Sequence, residues 1–316
     1  KVSLGVFNLT DMLIVFIGTG GGMPSIYRGL PAIAVRTGGA VLLLDCGEGT
    51  QRQFINSRIG FRREFHIFLT HHHGDHVLGV PGLLFTMAMS GRKEAVKIYG
   101  PEGTHELILR LTPPQLGRIP FQLEIEEMDP GKTVRIRDVS VGCVDADHSQ
   151  TALAYYIQED PRPGRMKEDF LQSLGVPRGP LWGMLQRGET ITYGGRTITP
   201  EEALGPRRAG RRVIYTGDTR PSEKIVEIAR DADVLIHDST FDDAMRDTAN
   251  LEGHSTSRQA AEVAARSGVS ILCLVHISPR YENPVKLLAD ARSLFPRTIL
   301  PQDLEVLDVP YRDATP

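Results

Sequence analysis

Short apolar runs broken by polar or glycine-containing stretches recur along the whole chain, and most are of strand length. Residues 12–17, 33–36 and 41–45 predict three strands joined by Gly-rich turns, and a helix begins within 47–56. A further strand is predicted at 66–70, then a helix of small and apolar residues at 77–90. Strands at 97–99 and 124–128 flank a helix at 104–111, and an apolar run follows at 139–144. The second half repeats the theme, with strands at 213–216, 234–237 and 271–275 and helices near 222–230, 257–266 and 284–295. Thr256-Ser257-Arg258-Gln259 has the form of a capping box, with Gly268 placed as the residue that ends that helix. Two strand-rich halves with helices outside them predict an α/β protein, an αβ/βα sandwich. No short-period repeat is present.

Residues 160–198 break the rhythm. Pro161, Pro163, Gly164, Pro177, Gly179, Pro180, Gly183, Gly188, Gly194 and Gly195 interrupt any periodicity, and Arg162, Arg165, Lys167, Arg178, Arg187 and Arg196 make the stretch basic. It reads as a long irregular insertion, a class of loop that is functional or solvated. Arg207, Arg208, Arg211 and Arg212 form a second basic cluster, which either lines a nucleic-acid path or solvates a turn.

The chemistry concentrates at the polar breaks. The strand at 66–70 runs into His71-His72-His73-Gly74-Asp75-His76. His71 and His73 are two residues apart and can face one metal, while Asp75 and His76, after Gly74, can turn toward a second. Imidazole and carboxylate suit Zn²⁺ at a site that keeps an open position. A terminal tag would be a pure histidine run, whereas this one is interrupted and internal. Three more apolar runs end the same way, at Asp147-His148-Ser149, at Tyr215-Thr216-Gly217-Asp218-Thr219 and at His276-Ile277-Ser278-Pro279-Arg280-Tyr281. Strand alternation turns His72 away from the others. His66, His72, His105 and His237 read as structural.

This ligand order resembles that of the metallo-β-lactamase superfamily, and within it the chain resembles the ribonuclease Z family of tRNA 3′-processing endonucleases in its short form. The resemblance is carried by Phe16-Ile17-Gly18-Thr19-Gly20-Gly21, Leu44-Asp45-Cys46-Gly47-Glu48-Gly49-Thr50-Gln51, the histidine loop, Tyr215-Thr216-Gly217-Asp218-Thr219, His237-Asp238-Ser239-Thr240-Phe241, Gly253-His254-Ser255-Thr256 and His276-Ile277-Ser278-Pro279-Arg280-Tyr281. It implies a metallo-β-lactamase sandwich over residues 12–316 with 160–198 inserted as a flexible tRNA-binding arm. It implies two zinc ions per chain: His71, His73 and His148 hold one, Asp75, His76 and His276 the other, and Asp218 bridges them. Asp75 is then also the proton acceptor, His254 contacts the phosphate or protonates the leaving oxygen, and Asp238 orients His254. Arg280 becomes a phosphate contact and Arg28 a substrate contact, and Arg162, Arg165, Lys167, Arg178, Gly179 and Pro180 become arm contacts to precursor tRNA. Gly175-Val176-Pro177-Arg178-Gly179-Pro180-Leu181 resembles the Gly-Pro element of that arm, which in the family serves the partner subunit of a homodimer. Two positions depart from the family's Pro-x-Lys-x-Arg-Asn loop: Ile26 stands for the lysine and Gly29 for the asparagine. Asp238 stands where many members have glutamate.

Composition changes this picture little. The 316 residues, 41% hydrophobic, suffice for one sizeable core or two joined halves. A formal net charge of −3 is no general nucleic-acid footprint, so RNA binding needs a local basic surface. No apolar run is long enough to span a membrane. Cys46, Cys143 and Cys273 lie in or beside apolar strands and read as reduced thiols, which favours a cytoplasmic protein. Residues 1–11 precede Met12 as a leader of uncertain origin. The leading alternative is a superfamily hydrolase of small phosphodiesters, thioesters or lactones. A non-catalytic RNA-binding scaffold is a third reading, opposed by the seven intact ligand positions.

Overall fold

A computed structural model describes residues 12–312. Two seven-stranded sheets carry the fold. The first runs, in spatial order, Val306–Asp308, Leu13–Gly18, Ala32–Thr37, Ala40–Leu44, Glu64–Phe68, Val96–Gly100 and Leu123–Glu127. The second runs Thr298–Ile299, Ile271–Val275, Val234–Asp238, Arg212–Tyr215, Leu153–Glu159, Val139–Asp145 and Thr133–Ile136.

Alternation along each strand sorts the side chains into three cores. Ile14, Phe16, Leu42 and Phe68 from the first sheet meet Val141, Tyr155, Val213 and Ile236 from the second in the central layer. The opposite parity, Val15, Ile17, Val41 and Leu43, packs on Phe54, Val80, Leu83 and Ile108 of the flanking helices. Ile214, Leu235 and Leu272 do the same against Ile225, Val263 and Leu287. The result is the helix–sheet–sheet–helix stack read from the sequence.

Strands from Ala40 to Glu127 in the first sheet, and from Arg212 to Ile299 in the second, pair in parallel. Parallel strands present their C-terminal ends at one edge, the usual place for a ligand site in α/β sheets. The polar breaks singled out above lie at those ends. Leu153 N–H donates to the Thr70 carbonyl at 2.9 Å, and the Tyr155 hydroxyl to the Leu69 carbonyl at 2.8 Å. These bonds join the sheets directly behind the histidine loop.

Several boundaries differ from expectation for local reasons. The helix expected at 77–90 is two pieces, Gly74–Val77 and Val80–Met89. Gly79 separates them, and a Cβ there would meet the Gly47 carbonyl oxygen at 1.9 Å. The helix expected from 47 starts at Thr50, after Gly49 in the left-handed conformation. Thr256 and Gln259 form the expected capping box, and Gly268 ends that helix with φ 67°. Leu153–Glu159 and Thr133–Ile136 are strands the apolar pattern did not single out.

The chain divides into two compact units, one of residues up to 158 and from 212 onward, the other Glu159–Arg211. The expected insertion at 160–198 falls inside the second, which runs further because Arg212 pairs with Gln158 in adjacent antiparallel strands. Nor is it irregular. It holds helices Glu168–Ser173, Pro180–Gln186 and Pro200–Ala203 and the hairpin Ile191–Tyr193/Arg196–Ile198. Leu171, Val176, Leu185, Ile191, Ile198 and Ala203 form its own core. Its base is closed by a buried ion pair, with Arg211 Nη2 2.6 Å from Glu159 Oε1 and Nε 2.9 Å from Oε2.

Candidate active site

Four separate segments bring seven side chains to the shared edge of the sheets. In the first cluster His71 Nε2 lies 3.0 Å from His73 Nδ1, which lies 3.2 Å from His148 Nε2. Asp218 Oδ2 faces this trio, 3.7 Å from His71 Nε2 and 4.0 Å from His148 Nε2. In the second cluster Asp75 Oδ2 is 3.6 Å from His76 Nε2 and 3.4 Å from His276 Nε2. The other oxygen of Asp218, Oδ1, is 3.2 Å from both of those imidazole nitrogens. One carboxylate therefore turns one oxygen to each cluster.

The outer nitrogens of the rings are held, which fixes what the inner ones present. His148 Nδ1 donates to the Gly253 carbonyl at 2.8 Å, and His76 Nδ1 to Asp45 Oδ2 at 2.7 Å. Each Nδ1 therefore carries a proton, and Nε2 is the nitrogen each ring turns inward. His71 Nδ1 meets the Thr70 hydroxyl at 2.9 Å, and His276 Nδ1 the Thr240 hydroxyl at 2.7 Å. This is the outer support found behind metal-binding imidazoles.

The clusters fit metal ions. His76 Nε2 and Asp218 Oδ1 are buried and have no hydrogen-bond partner, a costly state for polar atoms unless something else meets them. Ligands about 2.05 Å from a tetrahedral ion stand about 3.3 Å apart, close to the separations above. Burial holds His71 well below the usual imidazole range, with the His76 charge adding to it, and burial also lowers His73 and His148. Neutral imidazole is the form that binds metal. Asp75 and Asp218 resist the upward push of burial, because His276 and His76 hold both ionised.

Asp238 and His254 adjoin the clusters. Asp238 Oδ2 accepts from His254 Nδ1 at 2.9 Å and from Thr219 N–H at 3.1 Å. Its Oδ1 accepts from the Thr240 N–H and hydroxyl at 2.9 and 2.7 Å. Both oxygens of Asp238 are therefore engaged by hydrogen bonds. Burial pulls His254 down, but the charge and hydrogen bond of Asp238, with Asp218 behind it, raise the imidazole to about 9.

The other expected contacts divide. Arg280 is exposed, 4.8 Å over the Phe241 ring, with Nε 3.0 Å from the Ser278 hydroxyl. Arg28 is turned inward: Nη1 donates to the Thr19 hydroxyl at 2.5 Å and the Pro301 carbonyl at 2.7 Å. Arg162, Arg165, Lys167, Arg178, Gly179 and Pro180 belong to the unit Glu159–Arg211. There Arg178 pairs with Glu168 and stacks on Trp182, Lys167 Nζ reaches the Glu202 carbonyl at 3.0 Å, and Gly179 precedes the helix begun by Pro180. Arg211 lines no surface, because its buried pairing with Glu159 uses it. Arg212 lies 5.5 Å over the Tyr156 ring.

The four remaining histidines lie outside both clusters. His66 pairs with Glu64, His72 Nε2 meets the Thr104 hydroxyl at 2.8 Å, His237 Nδ1 meets the Asp238 carbonyl at 2.8 Å, and His105 is exposed on a helix. Sequence reasoning gave no role to Asp45, which supports His76 and also accepts from the Tyr215 hydroxyl at 2.7 Å and the Thr70 N–H at 2.8 Å. Its signal was present, since it too is a polar residue ending an apolar strand. Thr240 and Gly22 were missed as well.

The fold and the paired clusters are those of a metallo-β-lactamase-type hydrolase: the Beta-lactamase superfamily domain matches residues 41–166 and 187–277. Ribonuclease Z of Methanosarcina mazei is 43% identical over 300 residues, covering 95% of this chain and 98% of the relative. Ribonuclease Z of Methanosarcina acetivorans is 41% identical over the same length and coverage. The crystal structure of human tRNase Z, short form, superposes with a TM-score of 0.69 at 25% identity, covering 95% of this chain and all of that one. The chain belongs to the ribonuclease Z family.

Proposed function

We propose that this chain is an endoribonuclease that removes the 3′ trailer of precursor tRNA. It cuts after the discriminator nucleotide and leaves a 3′-hydroxyl on the tRNA. The observation that carries the reading is the pair of imidazole–carboxylate clusters sharing Asp218, in a chain matching ribonucleases Z over nearly its full length. Zinc is the ion that best suits neutral imidazoles and carboxylates at tetrahedral spacing. His71, His73 and His148 would hold one ion and Asp75, His76 and His276 the other, with Asp218 offering one oxygen to each. Metal ions held there would supply positive charge to acidify a water and to offset the charge of the phosphodiester.

The chain's own groups do the rest. Asp75 accepts the proton of the attacking water. His254, held at Nδ1 by Asp238, keeps Nε2 for the leaving oxygen and supplies a proton to it. Arg280 contacts a phosphate beside the scissile one. The unit Glu159–Arg211, with Arg162, Arg165, Lys167 and Arg178 and the Gly179-Pro180 turn, binds the tRNA body through its phosphates. The enzyme acts as a homodimer in the cytoplasm. Three buried free thiols support the reducing compartment, and the family resemblance supports the dimer. Among the described residues no helix is long and apolar enough to cross a membrane.

The test is incubation of the purified chain with a precursor tRNA bearing a 3′ trailer, followed by mapping of both product ends. A tRNA ending in a 3′-hydroxyl at the discriminator, with a 5′-phosphorylated trailer, is the expected result. An intact precursor, beside active turnover of a small phosphodiester, would reject tRNA as the substrate.

A further inference from the structure

Asp303 lies outside every segment that carries a candidate ligand, yet its carboxylate ties both ends of the loop that reaches over the second cluster. Oδ1 accepts from the Thr19 N–H at 3.1 Å and from the Thr19 hydroxyl at 2.7 Å. Oδ2 accepts from the Gly29 N–H at 2.7 Å. Between these anchors the Gly20 N–H closes the neck on the Gly29 carbonyl at 2.9 Å.

The loop held in this way touches one cluster only. The Gly22 N–H donates to Asp75 Oδ2 at 2.8 Å. The Thr19 carbonyl accepts from the N–H of Ile277 at 3.0 Å, immediately after His276. Gly21 lies so close to the His276 ring that a Cβ would come within 2.3 Å of it. The same His276 has a φ of 60°, a backbone state that a non-glycine residue keeps only when its surroundings hold it. No bond from this loop to His71, His73 or His148 accompanies these.

We propose that Asp303 is a positioning residue for the cluster of Asp75, His76 and His276: by pinning Thr19 and Gly29 it fixes the loop that orients Asp75 and seats His276. The proposal rests on that cluster holding a metal ion, the reading given above. A carboxylate is needed because the site demands acceptors on both oxygens. An asparagine would turn an N–H toward the N–H of either Gly29 or Thr19. Loss of supporting bonds of this kind weakens metal binding about 10–100-fold.

The experiment measures the two zinc dissociation constants of the full chain by competition with a chromophoric chelator. It compares the parent, D303N and D308N, the last on the exposed end of strand Val306–Asp308. The parent and D308N should give the same two constants. D303N should weaken one constant about tenfold or more and leave the other unchanged. Adding H276A to D303N should weaken that same step little beyond H276A alone. Two unchanged constants in D303N would overturn the proposal, and so would equal weakening of both, which reports general loosening. If D303N lacks the parent's circular dichroism, T19V replaces it: it removes the hydroxyl's bonds to Asp303 and Arg28 and keeps the Thr19 N–H bond to Asp303. T19V should weaken the same step less, and unchanged constants would again overturn the proposal. A parent that binds fewer than two ions contradicts the metal reading itself and takes the proposal with it.

Discussion

Asp218 Oδ1 lies 3.2 Å from His76 Nε2, and both atoms are buried without a hydrogen-bond partner. On the far side of that ring Asp45 holds Nδ1 at 2.7 Å, so the inward nitrogen is left as a lone pair facing a carboxylate. Two acceptors that close, out of water, repel unless a proton or a cation joins them. Without metal the proton does so: burial lowers His76, but Asp218 and Asp45 outweigh it and hold the imidazole well above its usual range. With metal the cation replaces the proton, and binding should release protons.

Asp75→Ala should lower turnover of both precursor tRNA and bis-p-nitrophenyl phosphate, because the carboxylate serves the chemical step whatever the leaving group. His254→Ala should reduce tRNA cleavage by roughly 10²–10⁴-fold, the usual worth of a positioned acid, and the small diester far less, since nitrophenolate needs little protonation. Parallel kinetics on the two substrates check this. Equal losses would remove His254 as the proton donor.

Excising the inserted unit between Arg162 and Arg208 should leave small-diester turnover and zinc content largely unchanged. Those two residues already meet, with the Arg162 N–H donating to the Arg208 carbonyl at 2.8 Å, so a short Gly/Ser linker can close the gap. Precursor tRNA binding should fall sharply. Its salt dependence should flatten by about 0.7–0.9 in the log–log slope for every phosphate that the shortened chain no longer neutralises. Filter binding across a salt series reads both quantities, and an unchanged slope would deny the unit any role in binding phosphates.

In metal-free protein His254 should titrate near 9 by NMR, and Asp238→Asn should bring it down, since Asp238 is the main group raising it. The sign for stability follows. A folded value above the ordinary 6.5 stabilises fully below that value, and the contribution is lost as pH rises through about 9. Metal-free stability should therefore fall over that window in the parent and fall less in Asp238→Asn.

Native thiols should be inert. Cys46, Cys143 and Cys273 are buried and unpaired, and burial raises all three, Cys143 to about 11. The thiolate is the reactive form. Titration with a thiol reagent at pH 8 should give no rapid reaction until denaturant is added, and one fast thiol would show a more open core than described.

What the sequence made legible was the edge of the sheets. The candidate ligands His71, His148, Asp218 and His276 each stand just after the end of an apolar strand, a pattern the sequence displays. What it hid came from long-range placement. Asp303 and Thr19 are 284 residues apart, and no periodicity reports such a contact. The family resemblance made Arg28 a substrate contact, and no sequence pattern shows that its guanidinium donates to Thr19 and Pro301. The inserted unit seemed irregular because Pro and Gly cut its elements to between three and seven residues, below the length at which periodicity can be read. Its one strong local signal was Gly194-Gly195, both with positive φ, at the tip of the hairpin.

The most direct test of the shared centre is the zinc content of the metal-reconstituted chain, read by native mass spectrometry beside Asp218→Ala and His148→Ala. Two ions per chain in the parent, with both weakened in Asp218→Ala and only one in His148→Ala, is the predicted result. Saturation at one ion in the parent, or loss of a single ion in Asp218→Ala, would contradict a centre in which one carboxylate serves both clusters.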